Sequence, residues 1–197
     1  MAIPDFRAAD AAAVRASVAL LDGPLDLTRA TPCAGWAVAD LLAHMTVQHL
    51  GFAAAARGET WALADWAPRA LGPDPAKEYA AAADEVLAAF AAVADLTTRI
   101  ACAELAPQPI PAWRGMGAHA IDYVVHGWDL ARALDRPWSL PEDVLLATLP
   151  VAEGVPDEEN RERDGAAFTH ALPIPAGAST LDRILLLLGR SPNWPAG

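Results

Sequence analysis

The sequence predicts an all-α fold, an antiparallel four-helix bundle followed by short additional helices. Apolar residues recur at three- and four-residue spacing over four long stretches, and alternating stretches are scarce. Alanine, the strongest helix former, is abundant throughout those stretches. Glycine and proline punctuate the chain between them.

The elements follow in order. Residues 5–22 place Phe6, Ala9, Ala13, Val14, Val18 and Leu21 on one face, and Gly23-Pro24 stops this first helix. A connector over residues 25–35 carries Thr31-Pro32-Cys33-Ala34-Gly35. The second helix spans residues 37–57, with Leu41, His44, Met45, Gln48 and Phe52 on one stripe and Gly58 closing it. Residues 59–75 form a loop rich in Trp, Pro and Gly. A third helix over residues 75–95 is nearly all alanine, with Tyr79, Val86, Leu87 and Phe90 as its larger apolar groups. Residues 97–105 alternate weakly and read as a short extended piece, which Pro107, Pro109 and Pro111 interrupt. The fourth long helix covers residues 112–134 and ends at Asp135-Arg136-Pro137.

Beyond it, residues 141–151 read as a helix with Pro141 in its first turn. Residues 157–164 read as a solvated, charged connector, residues 172–178 as irregular, and residues 181–189 as a last short helix. With no internal repeat and no break in composition, we expect one metal-binding helical domain over residues 1–197. Its bundle core would occupy residues 4–135 and a C-terminal extension residues 136–197.

Composition bounds the function. A chain of 197 residues, 54% of them hydrophobic, can bury a sizeable core without disulfides. Cys33 and Cys102 are its two cysteines, which suits a reducing compartment. A net charge of −11 repels phosphate backbones and anionic membrane surfaces, so nucleic acid and membrane are excluded as expected partners. The N-terminal residues lack a basic region and an apolar run, and the apolar stretch over residues 184–188 is far too short to cross a bilayer. The expectation is a soluble, cytoplasmic protein. Lys77 is the sole lysine among many arginines, as a GC-rich coding sequence produces.

The chemistry lies in the histidines: His44, His49, His119, His126 and His170. Asp122 and His126 stand four apart on the fourth helix, one turn above the other on one face. His119 precedes Asp122 by three residues, close to the same face. His44 sits mid-stripe on the second helix and points into the bundle. Inward groups on different helices are how bundles build metal sites, and His44, Asp122 and His126 would make a three-ligand site with an open position for water or substrate. The alternative is a hydrogen-bonded core histidine beside an Asp122–His126 ion pair, and spacing alone leaves both readings open.

Three stretches carry a family resemblance. They are Thr31-Pro32-Cys33-Ala34-Gly35-Trp36-Ala37-Val38-Ala39-Asp40-Leu41-Leu42-Ala43-His44, then Asp122-Tyr123-Val124-Val125-His126-Gly127-Trp128-Asp129-Leu130-Ala131-Arg132-Ala133, then Leu181-Asp182-Arg183-Ile184-Leu185-Leu186-Leu187-Leu188-Gly189-Arg190. In this order they resemble the mycothiol-dependent maleylpyruvate isomerase-like branch of the DinB/YfiT-type metal-binding four-helix bundles. The resemblance covers essentially the whole chain. It implies an up-down-down-up DinB-like bundle and a divalent metal, zinc first and nickel next. The family's ligands fall on His44, Asp122 and His126, with Asp where some relatives carry Glu or His. Two histidines and a carboxylate also describe a non-haem iron face.

The resemblance further implies that the activated thiol is a small molecule, mycothiol. The function expected is therefore that of an enzyme that activates this thiol for S-transfer to, or isomerisation of, a small electrophilic substrate. Maleylpyruvate isomerisation itself is not expected, because relatives with that activity carry a further C-terminal domain. The rival readings are a metal-hydroxide hydrolase, with His119 or Asp129 as supporting base, and a non-catalytic metal- or small-ligand-binding protein. Asp129 and Arg132 would form an ion pair, or hydrogen-bond a ligand's second nitrogen. Cys33 lies before a helix start, where a dipole sharpens a thiol, but it fits better as a small buried residue in a tight turn. Trp36 and Trp128 read as core anchors, and Trp61 and Trp66 fall where a loop could cover a cleft. The alanine-rich helices suit a homodimer face or the core, and the sequence leaves both open.

Overall fold

The computed structural model describes residues 2–162 and 168–195, in which four long helices carry the architecture: α1 (Arg7–Ala19), α2 (Val38–Ala56), α3 (Pro75–Ala92) and α4 (Ala112–Ala133). Local chemistry starts them. The Asp40 carboxylate accepts the Ala37 N–H at 2.9 Å at the head of α2. Asp74 caps α3 by accepting from the Lys77 N–H, with Pro75 in the first turn where its missing N–H costs nothing.

Contacts along the helices fix their directions. On α1 and α4, Asp10 meets His119 and Arg136 reaches the Leu20 carbonyl, so the two run parallel. On α2 and α3, His49 meets Tyr79 and Arg57 bonds Glu85, so these are parallel as well. His44 lies by His126 and His49 by His119, which sets α2 antiparallel to α4. Ser17 meets Tyr79 and Arg7 reaches the Val93 carbonyl, which sets α1 antiparallel to α3. The bundle is up-down-down-up, as the family resemblance implied.

Two further helices, α5 (Glu142–Glu153) and α6 (Thr180–Leu187), close one side. Ser179 caps α6 by accepting from the Asp182 N–H. Val144, Leu145, Leu149, Ile184 and Leu185 join Val14, Leu41, Met45 and Tyr123 in one buried apolar cluster. A second cluster, with Phe52, Trp66, Phe90, Ile100 and Met116, fills the opposite end. Among the described residues no helix is long and apolar enough to cross a membrane.

The structure departs from expectation at several places. Of residues 97–105, Arg99–Ile100 alone are strand, paired antiparallel with Ile110–Pro111. The charged run at residues 157–164 contains a 3-10 turn, Glu159–Glu162, and Arg161 within it is buried. Its guanidinium donates to the carbonyls of Val155, Pro156, Thr169 and Leu187, so it ties this segment to α6 instead of facing water; residues 163 and 164 lie outside the described part. Trp66 packs edge-on to Phe52 and is buried, which makes it an anchor of its loop rather than a cover over a cleft.

Deep between α1, α2 and α4 lies a polar chain without solvent exposure: Asp10, His119 and His49. His119 Nδ1 donates to Asp10 Oδ1 at 2.6 Å, and its Nε2 lies 3.1 Å from His49 Nδ1. Burial, reinforced by His119, pushes His49 well below its ordinary range, and its neutral ring stacks on Tyr123 at 4.1 Å. Asp10→Ala leaves the buried His119 N–H without an acceptor and is expected to cost about 1–3 kcal/mol in urea unfolding. Asp10→Asn, which keeps an acceptor oxygen, should cost clearly less.

Candidate metal centre

The turn before α2 is built for its position. The Trp36 N–H donates to the Cys33 carbonyl at 3.0 Å, and Gly35, at φ +81°, takes the third place of that turn, where only a residue without a Cβ is comfortable. The Thr31 hydroxyl accepts from the Cys33 N–H at 3.2 Å and donates to the Trp36 carbonyl at 3.0 Å. Cys33 is thereby turned inward and buried, while Trp36 lies against His44 with ring centroids 5.0 Å apart.

Helices α2 and α4 bring His44, Asp122 and His126 together, with one ligating atom of each lying within 4.8 Å of the others. His126 Nε2 is 3.4 Å from Asp122 Oδ1, one helical turn earlier. The His44 ring stands edge-on to that of His126 at 5.2 Å. His126 is buried, whereas His44 and Asp122 are half-buried, so the cluster opens to one side.

The other nitrogen of His126 faces inward. Its Nδ1 donates to Asp129 Oδ2 at 3.0 Å. Asp129 has no solvent exposure, and Arg190, just past α6, donates from Nε to both its oxygens at 3.1 and 3.2 Å. The Cys33 thiol donates to Asp129 Oδ2 at 3.1 Å, and Arg190 Nη2 donates to Cys33 Sγ at 3.3 Å. Burial pushes the Asp129 carboxyl up, but the His126 hydrogen bond and the Arg190 charge outweigh it and hold the group below the usual carboxylate range. Burial likewise disfavours a charged His126, yet the Asp122 charge and the bonds to Asp129 and Cys33 raise it well above its ordinary value. Burial, aided by the charge on His126, pushes His44 down to about 4, with Asp122 partly opposing.

This donor set suits a divalent cation. Two imidazoles and a carboxylate converge from two rigid helices, and a carboxylate orients one imidazole through its second nitrogen, as metal-ligating histidines generally require. A neutral His44 offers a free lone pair. The negative field that raises His126 would equally favour a metal ion.

Among the supporting residues considered from sequence, Asp129 reaches the cluster through His126, and its cation is Arg190. Arg132 turns away, donating to the Trp194 carbonyl and lying 6.0 Å from the Trp128 ring. His119 belongs to the separate chain with Asp10 and His49. Trp36 borders the cluster as well as the core. Two features escaped sequence reasoning. Arg190 pairs with a residue 61 positions away, which no local pattern reveals. Gln48, one turn beyond His44, is buried and donates to the Glu104 carboxylate. Glu104 itself is exposed, but partial desolvation pushes its carboxyl up, Gln48 opposes, and Asp122 adds to the rise; the glutamine on the His44 stripe was the available signal.

The depressed His44 makes a measurable contribution. Its folded-state value lies below that of the unfolded chain, so the unfolded state takes up the proton first as pH falls. The His44 contribution to stability is therefore lost between about pH 6.5 and the folded value of about 4. In urea unfolding of the metal-free protein with chelator present, wild type should lose about 3 kcal/mol relative to His44→Gln between pH 7 and pH 4.

Comparison with known proteins agrees with this architecture. Two uncharacterized proteins of Mycobacterium tuberculosis, from strains CDC 1551 / Oshkosh and ATCC 25618 / H37Rv, are each 27% identical over 166 residues, covering 82% of this chain and 83% of theirs. The crystal structure of the mycothiol-dependent maleylpyruvate isomerase shares the fold, with a TM-score of 0.51 at 16% identity over 78% of this chain and 69% of that one. Residues 7–131, from the first residue of α1 almost to the end of α4 and including all three candidate ligands, match the family described as the mycothiol maleylpyruvate isomerase N-terminal domain. The chain belongs to that family.

Proposed function

We propose that this protein is a divalent-metal enzyme that uses mycothiol for S-transfer to, or isomerisation of, a small electrophilic molecule. The observation that carries the reading is the convergence of His44, Asp122 and His126, with His126 held from behind by Asp129. Family membership supports the choice of thiol. A divalent cation held by these residues, zinc before nickel or iron, supplies the Lewis acidity that stabilises a small thiol as its thiolate.

The chain's own residues do the rest. Asp129 holds the His126 ring so that Nε2 faces the open side. Neutral His44 and anionic Asp122 complete the donor set without a further proton to displace from His44. Gln48, one turn beyond His44, holds the exposed Glu104 carboxylate by a hydrogen bond at the edge of this region. Trp36, which lies against His44, also lines a groove of about 540 Å³ with Asp40, Ala43, Arg69 and Leu71, a size suited to a small organic ligand. Two free, buried cysteines support a cytoplasmic location.

The test combines elemental analysis with a thiol-dependence assay. Purified wild type should carry about one divalent metal per chain, lost in both His44→Ala and His126→Ala. With mycothiol and a panel of electrophiles, turnover should require the thiol and fall to background in both variants. Absence of metal in wild type, with both variants folded normally, would make the protein a binding module instead. Turnover without any thiol would make it a hydrolase.

A further inference from the structure

We propose that Arg190 is a built-in cation, a guanidinium standing where a second metal ion would otherwise bind, and that it thereby restricts His126 to ligating through Nε2. The inference rests on the metal reading above and concerns the opposite side of the same imidazole.

His126 belongs to two groups of donors. On its Nε2 side are His44 and Asp122; on its Nδ1 side are Cys33 and Asp129. A donor atom from each of Cys33, His126 and Asp129 also lies within 4.8 Å of the others, and all three residues are buried. Thiol, imidazole and carboxylate together form a set that takes zinc or a softer cation such as cadmium. An imidazole flanked on both nitrogens by such groups is placed to bridge two metal ions. Left to its donors alone, the inner group would compete with the outer one for the same ring.

Arg190 resolves that competition. Its Nε donates to Asp129 at 3.1 and 3.2 Å and its Nη2 to Cys33 at 3.3 Å, while Nη1 donates to the Leu188 carbonyl at 3.4 Å. The guanidinium thus occupies two of the three inner donors and supplies the positive charge that the buried carboxylate needs. It cannot surrender its charge by losing a proton. Its place is set by the backbone: Gly189, at φ +75°, lies where a Cβ would strike the Thr169 backbone, and the Arg190 N–H donates to the Leu185 carbonyl at 2.8 Å. With Arg190 fixed, Asp129 remains an acceptor, His126 Nδ1 must be the donor to it, and Nε2 is left for the metal. Arg190 lies beyond the family-matched residues 7–131, so the C-terminal segment would be a working part of the centre.

The test is a titration of the metal-free protein with Cd(II), reading the number of ions bound and the ultraviolet thiolate-to-cadmium charge-transfer band. Wild type should bind one ion without that band. Arg190→Met should bind two and gain the band as the Cys33 thiol proton and the His126 Nδ1 proton are both released to solvent, leaving the ring as a bridging imidazolate, and Arg190→Met combined with Cys33→Ala should lose the band again. Arg190→Lys, which keeps the charge, should bind one ion without the band, with affinity for it reduced about 10–100-fold. If Arg190→Met does not fold, Arg190→Gln replaces it, with the same gain expected. One ion bound at wild-type affinity and no band in the neutral variants would overturn the proposal. A wild type that binds no ion would defeat the enzyme reading, whereas a Cys33-dependent band gained in the neutral variants would still support the role of Arg190.

Discussion

A carboxylate sealed from water must recover its lost hydration from the protein, and Asp129 does so from three separate parts of the chain. His126 donates from the same helix, Cys33 from the turn before α2, and Arg190 from the end of α6. Removing a fixed partner from such a group leaves a buried charge uncompensated, which is far costlier than losing a surface ion pair. The docking of α6, the inward turn at Cys33 and the orientation of His126 are therefore one interaction seen from three sides. The candidate ligand His126 is positioned by the same contact that fastens the C-terminal segment to the bundle.

Helix α4 carries this further. His119, Asp122, His126 and Asp129 follow one another at spacings of three, four and three, the spacing that ordinarily places apolar side chains in a bundle core. A polar stripe there survives only if every member finds a partner, and the partners divide it into two compartments. At the lower level His119 turns one nitrogen to Asp10 and the other to His49, in different directions, so no set of donors converges on one point. Phe52, Phe90 and Tyr123 enclose that imidazole within ring-contact distance. At the upper level three donor atoms converge and two of their residues reach partway to the surface. The first compartment is organised to join α1, α2 and α4, the second to receive something.

Periodicity made the helices legible, because a bundle helix must show its apolar face every three to four residues whatever it packs against. The Asp122–His126 pair was legible for the same reason. What periodicity reports is angle around a helix and not height along it, and His119 shows the difference. It shares the face of Asp122, yet lies seven residues before His126, about 10 Å along the axis, where the partner on α2 is His49 and not His44. Arg190 closes the third stretch that resembles the family, yet nothing in an amphipathic pattern records a pairing between the end of the last helix and the fourth. Arg161 was hidden differently: its carboxylate neighbours give the run a solvated character, while its own side chain turns inward to four carbonyls.

The family match ends at residue 131, two residues beyond Asp129. The matched stretch thus contains the buried anion and leaves out the cation that neutralises it. The countercharge could in principle come from any element able to reach the far side of His126, since Asp129 requires only a fixed, positively charged donor there. In this chain that donor is a residue held by a left-handed glycine at the end of a short amphipathic helix, itself packed on α5. The bundle supplies the candidate ligands, and the segment after it supplies the charge balance for the carboxylate that orients His126. On this view the residues after α4 bear on the chemistry of the centre through a single buried ion pair, even though none of them lies among its three converging donors.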